Sequence, residues 1–222
     1  MSNAATPYGL DALLQSEPPG YGFKVALNFP GPQRLLGLDG PVAAPIGTTQ
    51  VVASGATWPR ASERALHVEA ELALTLGRDV DRPLSSEALR AAIAHVTPCL
   101  ELVDYALPKG TVAAMLQHRF FHAGIVLGAT HDAGALGPLT DDLPRVTSSD
   151  GLVRTRLAGT VPDDVVEALA RLCAHVLAAG GQLAAGQAVL CGSYVEPLPL
   201  VPGATVRADF GAYGEVAITR AG

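Results

Sequence analysis

Aromatic residues are scarce in this chain. Phe, Tyr and Trp together make up 5% of its 222 residues, and charged side chains only 16%. There are three cysteines, Cys99, Cys173 and Cys191, odd in number, widely spaced and set in apolar sequence. That pattern excludes a disulfide framework and a CxxC metal or redox site, and it suits reducing, cytoplasmic surroundings. Positive charge is short as well: 15 Lys+Arg stand against 21 Asp+Glu, for a net charge of −6. No basic run occurs, so nucleic acid and anionic membrane surfaces have no electrostatic footprint to read. No stretch approaches the about 18 uninterrupted apolar residues of a membrane span, and the first residues lack the basic-then-apolar pattern of a secretory signal.

What the chain does have is apolar bulk and punctuation. Hydrophobic residues make up 49%, and mean hydropathy is +0.29, far from the composition of a disordered chain. A chain of this length can bury roughly 70% of the surface its unfolded form exposes. The 24 Gly and 17 Pro break the sequence into short segments. After a short N-terminal segment (1–22) with one apolar cluster, the pattern predicts strands over 23–28, 50–54, 66–76, 100–104, 124–129, 152–157, 188–192, 205–210 and 215–219. Helices are predicted over 84–95, behind Pro83 and Ser85, and over 162–179, ended by Gly180-Gly181. Many strands, two inserted helices and no βαβ repeat predict a single β-dominated α+β domain over residues 23–222.

One strand carries chemistry. In His67-Val68-Glu69-Ala70-Glu71-Leu72, alternation sets His67, Glu69 and Glu71 on one face, with Val68, Ala70 and Leu72 on the other. Two carboxylates side by side repel unless a proton or cation compensates them. The pair suits a hard divalent ion; it suits equally well a solvated acidic face on an edge strand. A third acid, Glu101, lies in the apolar run Pro98-Cys99-Leu100-Glu101-Leu102-Val103-Asp104, where an unpaired charge is costly to bury. Three semi-buried acids favour a metal site.

These segments resemble the 2-keto-4-pentenoate hydratase and 4-oxalocrotonate decarboxylase group of the fumarylacetoacetate hydrolase superfamily. The matching blocks are Phe23-Lys24-Val25-Ala26-Leu27-Asn28 with Leu36-Gly37-Leu38-Asp39-Gly40-Pro41, the Glu69/Glu71 strand, the Glu101 strand, and Gly186 to Ser193 with Pro202-Gly203 and Phe210 to Gly214. The resemblance implies a rolled mixed β-sheet with a few flanking helices, Mg²⁺ or Mn²⁺ held by Glu69, Glu71 and Glu101, and a homo-oligomer. It also implies a lyase of the hydratase type in aromatic-compound catabolism, acting on a small 2-oxo or 2-hydroxydienoic acid that chelates the metal. Carbon–carbon hydrolysis, decarboxylation and a non-catalytic, metabolite-binding member of the fold are the alternatives. Lys24 matches a lysine near the substrate, and Gly192 and Ser193 match the turn near the substrate carboxylate. Two departures stand out. The small polar lining of the hydratases is replaced by Gln117-His118-Arg119-Phe120-Phe121-His122, in which Arg119 suits a second substrate carboxylate and His122 proton transfer. The N-terminal helical region is also shorter than in that group. His67, outside the implied ligand set, is read as a supporting residue.

Overall fold

The computed structural model describes residues 7–16, 19–59, 64–137, 139, 142–157 and 164–222. In chain order these form α1 (Leu10–Ser16), β1 (Gly22–Ala26), α2 (Pro30–Leu36), β2 (Val42–Ile46), β3 (Val51–Ala53), β4 (Thr57–Trp58), β5 (Leu66–Leu76), α3 (Ser86–Arg90) and β6 (Ile93–Asp104). There follow α4 (Val112–Gln117), β7 (His122–Leu127), β8 (His131–Asp132), β9 (Arg145–Ser148), β10 (Val153–Arg154), α5 (Val165–Ala178), β11 (Ala188–Leu190), β12 (Leu198–Pro199), β13 (Thr205–Asp209) and β14 (Glu215–Arg220).

The larger sheet has the order β2-β1-β11-β5-β6-β7-β3, with β12 beside β5 and β8 beside β6. It is mixed: β1 is parallel to β11 and β3 to β7, while its other pairs are antiparallel. Its two ends, β2 and β3, are consecutive in sequence and joined only by residues 47–50. Laid flat, seven strands would hold those ends about 29 Å apart, whereas so short a connection spans about 18 Å at most. The sheet therefore has to roll. Ile46 of β2 packs in one small cluster with Leu190, Ala73, Cys99 and Ile125 of β11, β5, β6 and β7. That cluster fills the inside of the roll.

The opposite face of β5 (Val68, Ala70, Leu72 and Leu74) joins the main core with Phe23 of β1 and Leu100 of β6. Against β1 and β2 lies α5, capped by Asp164, whose carboxylate accepts from the Val166 N–H at 2.8 Å. Its buried side is Val165, Val166, Ala168, Leu169, Leu172, Cys173 and Val176. A second sheet, β10-β9-β13-β14-β4, packs on the first. A Cβ on Gly124 of β7 would lie 2.2 Å from the Trp58 ring of β4, so only glycine permits this approach.

The β-dominated α+β class and the rolled mixed sheet are as expected, although β13 and β14 belong to the second sheet. The predicted strand 66–76 coincides with β5. The helix expected over 84–95 is confined to Ser86–Arg90, because Ile93 already pairs with Leu76, and Val96 with Leu74. Those β-branched residues fit a helical stripe and a strand equally well, and the ladder to β5 decides. The predicted helix 162–179 is α5, residues 162 and 163 lying outside the described residues. Seven short elements had no expectation: α2, α4, β2, β4, β8, β9 and β12. In β2, Pro45 lacks an N–H, which the edge position tolerates. Cys99, Cys173 and Cys191 are all free and buried. No helix among the described residues is long and apolar enough to cross a membrane.

Candidate metal centre

The register of β5 against β6 sets Glu69 directly opposite Glu101 and Glu71 opposite Cys99. Alternation then directs all three carboxylates into the roll, where one oxygen from each lies within 4.8 Å of the others. Lys24 of β1 arrives on the same inner face through the register Lys24–Leu190–Ala73 across β1, β11 and β5. Glu71 and Glu101 are fully buried, Lys24 nearly so, and Glu69 is half-buried.

The hydrogen bonds divide the oxygens sharply. Oε1 of Glu101 accepts from Lys24 Nζ in a short ion pair and from His122 Nδ1 at 2.7 Å. Oε2 of Glu71 accepts from the Gly192 N–H at 2.7 Å, and Oε1 of Glu69 from the Tyr105 hydroxyl at 3.2 Å. Left over are Glu71 Oε1 and Glu101 Oε2, both buried with no hydrogen-bond partner. An orphaned buried carboxylate oxygen is costly. Two of them side by side, with three carboxylates facing one ammonium, ask for about two further positive charges. A hard divalent cation supplies them, and an all-oxygen donor set fits Mg²⁺ or Mn²⁺ rather than Zn²⁺.

Proton affinities carry the same message. Burial first, then the charges of Glu101 and Glu69, push the Glu71 carboxyl well above its usual range, against the pull of Lys24 and the Gly192 N–H. Burial raises Glu69 to about 7, opposed by Lys24 and the Tyr105 hydrogen bond, with Glu101 adding to the rise. Burial alone would raise Glu101 too, but Lys24 and His122 more than reverse it and hold this carboxyl below the usual range. For Lys24 burial favours the neutral amine; Glu101, Glu69 and Glu71 overcome that and hold the ammonium above its ordinary value.

Beside the carboxylates is a cavity of about 160 Å³ whose walls include Lys24, Leu27, Glu69, Tyr105, Phe120 and Phe121. It shares Phe29, Pro32, Tyr105 and Pro197 with a wider groove of about 860 Å³ that carries Arg34, His67 and Lys109. The Lys109 ammonium lies 5.1 Å from the centre of the Tyr105 ring. Arg119, Phe120 and Phe121 all have left-handed backbone (φ 49°, 49° and 69°), a strained conformation for bulky side chains. This turn brings both phenyl rings to the cavity and the Phe120 carbonyl to 3.5 Å from Lys24 Nζ.

Of the residues singled out in the sequence, Glu69, Glu71, Glu101, Lys24 and His122 come together. Gly192 reaches the centre through its N–H to Glu71. The Ser193 hydroxyl donates to the Val195 carbonyl at 2.8 Å, and its own carbonyl accepts from Asn28 at 2.6 Å. Arg119 is half-buried outside the cavity lining, and the His67 ring lies 4.7 Å from that of Tyr105, tilted by 50°, while bonding the Ala65 carbonyl. Tyr105, Thr49, Arg34 and Lys109 had been given no role. No local pattern marks them: Thr49 meets His122 across the roll, and Arg34 of α2 shares the groove with Tyr105 and Lys109 of the loop after β6.

A rolled mixed sheet with a buried three-carboxylate centre on its inner face defines a fold with a candidate divalent-cation site. The model of the fumarylacetoacetate (FAA) hydrolase C-terminal domain matches residues 27–219, and the chain belongs to that family. A solved structure of 4-oxalocrotonate decarboxylase from Pseudomonas putida G7, complexed with magnesium and adipate, matches with a TM-score of 0.79 at 17% identity, covering 96% of this chain and 82% of that one. Fumarylpyruvate hydrolase from Pseudomonas aeruginosa, in complex with Mn²⁺ and pyruvate, matches with a TM-score of 0.64 at 15% identity, over 90% of this chain and 88% of that one. 5-Carboxymethyl-2-hydroxymuconate delta-isomerase from Mycobacterium smegmatis gives a TM-score of 0.63 at 18% identity, over 90% and 78%. No curated protein matches the sequence. At these identities the likeness is one of fold, within a family whose members are generally enzymes.

Proposed function

We propose that the protein is an Mg²⁺- or Mn²⁺-dependent lyase that decarboxylates a small 2-oxo dicarboxylic acid. The observation that carries this reading is a grouping of functional atoms: the orphaned carboxylate oxygens of Glu71 and Glu101 lie close to Glu69, and Glu69 lines the cavity together with two proton donors, Lys24 and Tyr105. A divalent cation held by Glu69, Glu71 and Glu101 would supply Lewis acidity toward the C2 oxygen of a 2-oxo acid. Decarboxylation then needs little else. The bond to the departing carboxylate breaks, CO₂ leaves, the electron pair stays on carbon conjugated with C2, and a proton closes the new C–H bond. Lys24 Nζ and the Tyr105 hydroxyl are placed to donate that proton. Lys24 would remain beside the three carboxylates, its ammonium paired with Glu101. Phe120 and Phe121 keep the wall apolar and discourage water. Arg34 and Lys109, in the adjoining groove, suit the far carboxylate of a dicarboxylic substrate.

Hydration is the second reading, favoured by the polar groups on the cavity wall: Glu69, Tyr105 and Lys24 together could orient a water toward a bound dienoic acid. Product analysis separates the possibilities. Metal-loaded protein is incubated with a panel of 2-oxo dicarboxylic acids and followed by proton NMR with CO₂ capture. One CO₂ per substrate consumed, lost with Lys24→Met, is the expected result. A 4-hydroxy-2-oxo acid would establish hydration instead, and two acids would establish carbon–carbon hydrolysis. Metal binding with no product from any acid would assign metabolite binding alone.

A further inference from the structure

The sequence suggests His122 as a proton-transfer group, but its ring faces away from that task. It is absent from the cavity lining, its side chain is only 5% exposed, and both ring nitrogens are engaged: Nδ1 with Glu101 Oε1 and Nε2 with Thr49 Oγ1, each at 2.7 Å. Thr49 lies within residues 47–50, the connection that closes the roll by carrying the chain from β2 to β3, so His122 links that closure to a carboxylate of the metal centre.

We infer that Thr49 and His122 form a positioning clamp for the metal centre: Thr49 fixes the tautomer of His122, and His122 fixes the carboxylate of Glu101 with Oε2 presented to the cation. This rests on the reading of the three glutamates as metal ligands. The proton placement follows from the partners. Glu101 Oε1 already accepts from the Lys24 ammonium in the short ion pair, and as an acceptor toward His122 it leaves the hydrogen of that bond on Nδ1. The Thr49 hydroxyl donates to Nε2, which keeps the ring in its Nδ1–H form. With Lys24 and His122 both on Oε1, the carboxylate plane is fixed and Oε2 is the oxygen left over. The same clamp holds the strained turn Arg119–Phe121, because His122 is the next residue along the chain. A strained turn persists only where its surroundings over-determine it, and the clamp ties down its C-terminal end.

The test uses four full-length variants: Thr49→Val, which keeps shape and removes the hydroxyl; Thr49→Ser, which restores it; His122→Leu; and His122→Asn, whose amide can still donate to Glu101. Two readouts are taken, Mn²⁺ affinity by calorimetry and ¹⁵N shifts of the His122 ring in metal-free protein, with circular dichroism confirming the fold. Loss of a group that orients a ligand typically weakens metal affinity by about 10- to 100-fold. Thr49→Val and His122→Leu are expected to weaken Mn²⁺ binding by about 10-fold or more. Thr49→Ser should recover most of it, and His122→Asn part of it. The wild-type ring should show protonated Nδ1 and unprotonated Nε2, a signature blurred in Thr49→Val and restored in Thr49→Ser. Mn²⁺ affinity within about twofold of wild type in Thr49→Val, or a ring protonated on Nε2 in the wild type, overturns the clamp. Wild-type protein that binds no Mn²⁺ overturns the ligand reading instead; the ring shifts, recorded without metal, still judge the tautomer lock by themselves.

Discussion

Glu71 Oε2 is satisfied by the Gly192 N–H and Oε1 by nothing. Replacing the side chain with its amide isostere separates binding from folding. Glu71→Gln should weaken Mn²⁺ binding more than about 100-fold by calorimetry, beyond the usual cost of losing a group that merely orients a ligand. In metal-free protein the same change removes a buried charge crowded by Glu101 and Glu69, so its melting temperature at neutral pH should rise. Lys24→Met does the opposite. It strands the Glu101 charge in a fully buried position, which costs about 3–5 kcal/mol, measurable by urea unfolding. In the groove, Lys109→Met should raise KM for dicarboxylic substrates severalfold, measurable by steady-state kinetics.

At the scale of the element, β5 shows how one strand serves two purposes. Its inward residues build the site and its outward residues build the core, so a defect on one face should spare the other. Leu72→Ala, on the outward face and 1% exposed, is expected to cost about 2–5 kcal/mol by chemical denaturation while Mn²⁺ affinity stays near wild type. The turn after β11 is less divisible. Gly192 has φ 94°, and a Cβ there would meet the Asn28 side chain at 3.0 Å. Gly192→Ala would displace the N–H that orients Glu71. This element scale is also where the sequence is most readable. Glu69, Glu71 and the 66–76 strand follow from a period of two, which survives any tertiary arrangement. The helix read over 84–95 fails because Ile93 and Val96 satisfy both periods and a long-range ladder chooses between them. Lys24 is recognisable only by family resemblance, because a lone lysine in an apolar strand carries no spacing to read. Thr49 and Tyr105 have no local signature at all: their roles arise from the roll, which pairs residues dozens of positions apart.

For the whole molecule, the buried charge makes stability depend on pH and metal together. Glu69 and Glu71 have raised proton affinities, so the stability they lend metal-free protein is complete below the ordinary carboxylate value and fades as pH climbs toward the about 7 of Glu69. Glu101 runs the other way, its contribution present at neutrality and lost as pH falls through its lowered value. Divalent metal should therefore raise the melting temperature more at about pH 8 than at about pH 6, where protons compete for the same oxygens. Differential scanning fluorimetry with Mn²⁺ and with EDTA at both pH values measures this. An equal shift at the two would mean that the cation binds elsewhere.

The parallel pairing of β1 with β11 also sets a timetable. Phe23 and Lys24 lie beside Val189 and Leu190, and β11 is the strand through which β1 joins β5. Until the ribosome has released β11, the lysine of β1 lacks the strand that joins it to the β5–β6 ladder, and the nascent chain holds three carboxylates without their internal counter-charge. Contacts of such long sequence separation form slowly. The centre is then completed only after β11 has been made, and a cation available at that moment can act on folding before it acts on any substrate.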